Sequence, residues 1–382
     1  MNFINFVQRQ KELLQLFRLG KEASIKESSL EIRFFDFESR YSEMKQLRGS
    51  DFSEHDVSIA ENRSFTYPVF IKKGSKKATE VIVLLHGLNE RNWDKYLCWA
   101  EYLSTNTGKA VLLFPIAYHI NRAPVQWSDP RSMSLLVKKR QLEVGQNRSL
   151  CFANVALSER LSENPARFYN AGRQTVQDLT ELVRQIKMGE HPLFASDASV
   201  DFFAYSIGAF LSEITLMANP QSLFDKSKLF VFCGGAIFRY MFGESRFIMD
   251  KPAYERLLEF YCKEWLSKEH MDCYDESEKE DHTLNAFNTM IAPEVEREKR
   301  EGFFSSLGSR LSGISLKKDK VMTYTGVEAC MGRDVAAEHF IQMDFPYEYT
   351  HEAPFPTGGR VDASLLNISF NQIFSRAALF LS

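Results

Sequence analysis

Apolar and polar positions follow two alternating rhythms along this chain. In "FINFVQRQKELLQLF", Phe3, Phe6, Val7, Leu13, Leu14 and Phe17 recur at helical spacing. That predicts an amphipathic helix over 1–20 that buries one face against its own chain. Residues 29–66 hold no sustained period and are expected to form short strands and turns. From about residue 67 short apolar runs take over: "TYPVFIKK", "TEVIVLLHG", "KAVLLFPIA", "VDFFAYS", "KLFVFCGGAIF", "KVMTYTG" and "FIQMDFP". "VIVLL" is continuous rather than alternating, as in a strand covered on both faces. Helical patterns lie between the runs, in "NWDKYLCWAEYLSTNTG", "GRQTVQDLTELVRQI" and "IGAFLSEITLMA", and "DASLLNISFNQIFSRAALFLS" closes the chain. Strands alternating with helices predict an α/β fold with a mostly parallel central sheet flanked by helices.

Two segments break the alternation. Residues 119–170 carry Trp127, the prolines of "RAPVQWSDPR" and a "KKR" run. Residues 240–312 are long, charged and mostly helical, with an acidic run at 275–281 that reads as a solvated loop. The strand pattern resumes after each, so both are expected to be insertions over the strand ends, the second forming a helical cap. The expected organisation is an N-terminal helix and extension over 1–64 packed on a core domain over 65–382.

Composition narrows the function classes. With 382 residues and 44% hydrophobic content the chain can bury a sizeable core. A formal charge of −3 gives no support for wholesale binding of nucleic acid or an anionic membrane, which would favour a basic face. The one dense basic cluster, "KKGSKK" at 72–77, reads as a solvated hairpin turn between two strands. The six cysteines form no C-x-x-C pair, which favours free thiols over a zinc site or a disulfide framework. The start lacks a basic n-region and a compact apolar core. No run reaches the roughly 18 apolar residues of a membrane span. A soluble cytoplasmic protein is expected. Phosphate-loop, dinucleotide and H-E-x-x-H patterns are absent from the sequence, so no metal or nucleotide cofactor is expected.

The candidate chemistry starts at Ala204-Tyr205-Ser206-Ile207-Gly208. Small residues two before and two after a serine allow a very tight turn from buried strand to helix. The hydroxyl is then exposed at the strand's carboxyl end, and the amides of the next helix point toward developing negative charge. The pattern resembles the G-x-S-x-G nucleophile elbow of the α/β-hydrolase superfamily, with Ala204 in place of the first glycine. "VIVLLHGLNER" resembles that superfamily's oxyanion loop: Gly87 lets the backbone turn in, and the N–H groups of Leu88 and Ile207 would be the two oxyanion donors. His86 is read as ordering this loop rather than moving a proton. Asn89 and Glu90 are read as capping the next helix or shaping the pocket, with capping preferred.

The resemblance covers roughly residues 65–382 without the insertions, and it implies the order Ser, acid, His along the chain. Four histidines follow Ser206. His270 and His282 fall in the charged insertion and are expected in solvent, and His339 precedes its strand. His351, in "PYEYTHEAPF" after the last strand, is the expected general base. The acid should follow "KVMTYTG". Glu328 is the first choice and Asp334 the alternative. His119 is read as a loop histidine. The resemblance implies a serine hydrolase cleaving a carboxylic ester or thioester of a small-molecule acyl substrate through an acyl-enzyme. Peptidase and acyltransferase chemistry run on the same scaffold. The competing reading is a catalytically silent member acting as a binding or interaction module.

Overall fold

The computed structural model describes residues 3–40, 54–267, 270, 280–359 and 361–382. Its strands are β1 (Ala23–Ser24), β2 (Leu30–Glu38), β3 (Ser64–Lys72), β4 (Ala78–Leu85), β5 (Ala110–Leu113), β6 (Phe194–Tyr205), β7 (Leu229–Phe232), β8 (Leu311–Leu316) and β9 (Phe340–Met343). They form one nine-stranded sheet in the order β1-β2-β3-β5-β4-β6-β7-β8-β9. The β1, β2 and β3 edge joins antiparallel, through β3 to β5. Every pairing from β5 to β9 is parallel. This is the mostly parallel central sheet expected from the sequence, with helices on both faces.

The continuous apolar runs are explained by that coverage. Successive residues of one strand feed opposite cores: Val81, Val83, Leu85, Phe202 and Ala204 face one, while Ile82, Leu84, Phe203 and Tyr205 face the other. The helices Ala166–Lys187 and Ile207–Ala218 close the first face. The helices Phe6–Leu16, Leu97–Thr107 and Ala363–Leu381 close the second. Phe6 stacks on Phe370 with ring centroids 4.3 Å apart, and Arg9 Nε donates to Glu101 at 2.7 Å. The N-terminal helix therefore packs on its own chain, with Phe3 left exposed.

Three local expectations are corrected. "TYPVFIKK" and "TEVIVLLHG" do not form a hairpin. β5 lies between them in the sheet, so the exposed turn at 73–77 starts a crossover. Residues 29–66 include one long strand, β2, which pairs with β3 from Leu30↔Lys72 to Glu38↔Ser64. "KVMTYTG" is not a strand: it is a turn followed by the helix Tyr324–Met331, capped by Thr323. The strand in this part of the chain is β8, "LSGISL", which lies at the end of what the sequence presents as the helical insertion.

The segments between β5 and β6 and between β7 and β8 are tied to each other. Arg140 Nη2 donates to Asp250 at 2.9 Å, and the Asn89 amide donates to the carbonyls of Ala153 (2.8 Å) and Phe247 (2.7 Å). Most of the acidic run at 275–281 lies outside the described residues. Among the described residues no helix is long and apolar enough to cross a membrane.

Candidate active site

β6 ends at Tyr205 and the helix Ile207–Ala218 begins one residue later. Ser206 makes the turn with φ 58° and ψ −123°, a conformation that costs energy for any residue with a Cβ. Gly208 allows the close approach behind it. A Cβ there would lie 2.7 Å from the Leu85 carbonyl oxygen and 2.8 Å from that of His86. No side chain fits, so the helix can sit directly against the end of β4.

The Ser206 hydroxyl donates to His351 Nε2 at 2.6 Å. His351 Nδ1–H donates to Asp319 Oδ2 at 2.8 Å. Asp319 Oδ1 accepts the backbone N–H groups of Val321 (2.8 Å) and Met322 (2.9 Å). All three side chains are buried. The imidazole is held from behind as well. Tyr205 donates its hydroxyl to the His351 carbonyl, and its ring stacks on the imidazole with centroids 5.5 Å apart and planes 14° from parallel.

Asp319 therefore occupies the place expected for Glu328 or Asp334. Glu328 lies half-buried on the helix Tyr324–Met331, and no hydrogen bond joins it to His351 among the described residues. Asp334 is exposed in the first turn of the helix Arg333–His339. The cause is the misplaced strand: the first carboxylate beyond the real strand, β8, is Asp319.

The loop after β4 is built around His86. The Ile116 N–H donates to Nε2 at 2.9 Å, so the ring proton is on Nδ1, which donates to the Gly87 carbonyl at 2.8 Å. With both nitrogens committed and the ring fully buried, desolvation holds His86 well below the usual histidine range. Gly87 N–H donates to the Tyr96 hydroxyl at 3.0 Å, which donates to Glu90 at 2.8 Å. Glu90 also pairs with Lys95. Asn89 and Glu90 thus do not cap a helix. Asn89 ties the two long segments together, and Glu90 braces the loop.

Leu88 and Ile207 meet beside Ser206. All three border a pocket of about 460 Å³ whose remaining walls are apolar, among them Phe238, Met241, Tyr254, Leu257 and Val321. Neither amide has an acceptor among the described residues. On their other side Leu88 and Ile207 border a pocket of about 1110 Å³, counting the solvent space at its mouth. His119, in the loop after β5, lines this pocket and is 7% exposed. Burial pushes its pKa down to about 4. His270 departs from expectation, packing its ring 4.6 Å from that of Trp265.

The chain belongs to DUF6051, a family of unknown function whose model matches residues 4–382. Comparison with curated proteins gives no match. Among solved structures it is similar to a thermostable esterase from Pseudomonas putida ECU1011, at 8% identity and a TM-score of 0.47, over 98% of this chain and 88% of that one. It is also similar to an esterase from the archaeon Pyrobaculum calidifontis, at 8% identity and a TM-score of 0.43, over 98% and 90% of the two chains. A third is carboxyl esterase 2 from the fungus Tuber melanosporum, at 8% identity and a TM-score of 0.44, over 92% and 88%.

Proposed function

We propose that this chain is a serine hydrolase cleaving a carboxylic ester or thioester through an acyl-enzyme, with Ser206 as nucleophile, His351 as base and Asp319 as the acid. The reading is carried by one observation: the unbroken line from the Ser206 hydroxyl through His351 to Asp319, with contacts of 2.6 and 2.8 Å. Ser206 Oγ attacks the carbonyl carbon as His351 Nε2 takes its proton. The oxygen that becomes negative faces the N–H groups of Leu88 and Ile207, each worth about 3–4 kcal/mol in sites of this kind. His351 then gives the proton to the leaving alcohol or thiol. A water, activated by the same nitrogen, releases the acid and restores Ser206. Asp319 fixes the tautomer with Nδ1 protonated and balances the charge of the transient imidazolium.

A fluorophosphonate probe tests the reading directly. The folded wild type should label at Ser206 and the Ser206→Ala variant should not. On a chromogenic ester Ser206→Ala should lose roughly 10⁴–10⁶ in kcat. Absence of labelling in the folded wild type at neutral to basic pH would leave the silent binding module as the better reading.

A further inference from the structure

Ser206 borders the smaller of the two pockets that Leu88 and Ile207 share, and the two differ in charge. The smaller is walled by apolar side chains, whereas the larger, also mostly apolar, carries in addition Arg91, Arg160, Arg167 and Arg173 against one carboxylate, Glu90. Most of these charges are already paired. Arg160 and Arg167 share the buried Asp56 at 2.7 Å each, and Arg173 pairs with Asp281 at 2.8 Å. Glu90 is taken by Lys95 and the Tyr96 hydroxyl.

Arg91 differs from the other three arginines. It is half-buried, and its Nη2 donates to the carbonyls of Phe152 (3.2 Å) and Ala153. Among the described residues no carboxylate forms an ion pair with it. Carbonyl dipoles orient a guanidinium but leave its charge uncompensated. Withdrawing such a charge from water is costly unless an anion meets it. Of five N–H donors, those on Nε and Nη1 remain for a planar acceptor. The same pocket holds a second uncommitted group. His119 Nδ1 donates to the Ala117 carbonyl at 2.9 Å, which leaves Nε2 as a buried acceptor without a partner among the described residues.

Resting on the serine-hydrolase reading above, we infer that the larger pocket receives a carboxylate borne by the substrate and held by Arg91, so that the ester cleaved at Ser206 is apolar on one side of the scissile bond and acidic on the other. The smaller pocket takes the apolar side.

The test uses matched ester pairs that differ only in a terminal carboxylate or carboxamide, one pair with that group on the acyl side and one with it on the alcohol side. The wild type should prefer the carboxylate member of one pair by about ten- to hundred-fold in kcat/KM, the range of a charge-assisted contact. Arg91→Gln should abolish the preference and Arg91→Lys should keep part of it. Because the readout is a ratio, any loss common to both esters cancels. Equal rates within both pairs for the wild type, or an unchanged ratio in Arg91→Gln, would overturn the inference while leaving the hydrolase reading intact. No turnover of any ester, with no fluorophosphonate labelling of Ser206, would overturn both.

Discussion

Asp319 and Glu213 are both carboxyl groups withdrawn from water, 5% and 0% exposed, and the protein treats them in opposite ways. Asp319 has a partner for each oxygen: His351 on one, two backbone amides on the other. Glu213 lies on the helix that starts beside Ser206, and neither of its oxygens has a hydrogen-bond partner among the described residues. Burial alone pushes its pKa well above the usual carboxylate range. Depth therefore does not decide what a buried acid does. An acid surrounded by donors can stay charged and orient an imidazole, whereas one without them keeps its proton and only costs stability.

Removing the charge at Asp319 gives the largest expected effect. Asp319→Asn retains the shape but offers His351 an amide that can donate, which favours the wrong tautomer. A loss of roughly 10³–10⁴ in kcat is expected, with Ser206 still in place. Glu328→Gln and Asp334→Asn should stay within a few-fold of wild type. Steady-state kinetics of the three variants on one ester decides the matter. A large loss at Glu328 together with a small one at Asp319 would reject the assignment.

The same contrast explains what could be read from the sequence. The elbow was legible because its requirements are local: a buried strand, a serine, small neighbours, a helix. His351 was legible because the last strand precedes it. Asp319 was hidden by packing elsewhere. In β8 a Cβ on Gly313 would lie 2.3 Å from the Phe340 ring, so that position must be glycine. Two serines also interrupt the apolar run. The strand therefore has a weak pattern, and "KVMTYTG" imitates a better one. Glu213 was illegible for a different reason: within "IGAFLSEITLMA" it looks like the polar face of a helix. The helix His282–Thr289 packs against that helix, and Cys330 of the helix Tyr324–Met331 comes close to Glu213.

A test on Glu213 should show a smaller effect, in stability rather than catalysis. Its folded pKa is raised above the unfolded value. The contribution is therefore fully present below about pH 4.5 and is lost as pH rises toward the folded pKa, by about 1.4 kcal/mol per pH unit across that window. Glu213→Gln removes the titration. Thermal unfolding of both proteins from pH 5 to 9 should show the variant gaining on the wild type as pH rises. A difference that stays constant with pH would mean that Glu213 titrates like an exposed carboxyl, and the contrast with Asp319 would fail.

The smallest effect is expected at Cys233, whose buried thiol also reaches Asp319. Burial first, and then the neighbouring Asp319 charge, push this thiol well above its ordinary value, so it stays protonated next to the carboxylate. It sits at φ 50° at the end of β7, with its N–H bonded to the Ile314 carbonyl at 2.9 Å. Cys233→Ala removes a neighbouring thiol while His351 and the two amides remain on Asp319, so the change should not exceed that of one weak hydrogen bond, about 1 kcal/mol. A fall in kcat of about five-fold or less, with KM unchanged, fits an acid already satisfied by its other partners. A fall approaching that of Asp319→Asn would mean that the thiol, rather than the amides of Val321 and Met322, holds the carboxylate in place.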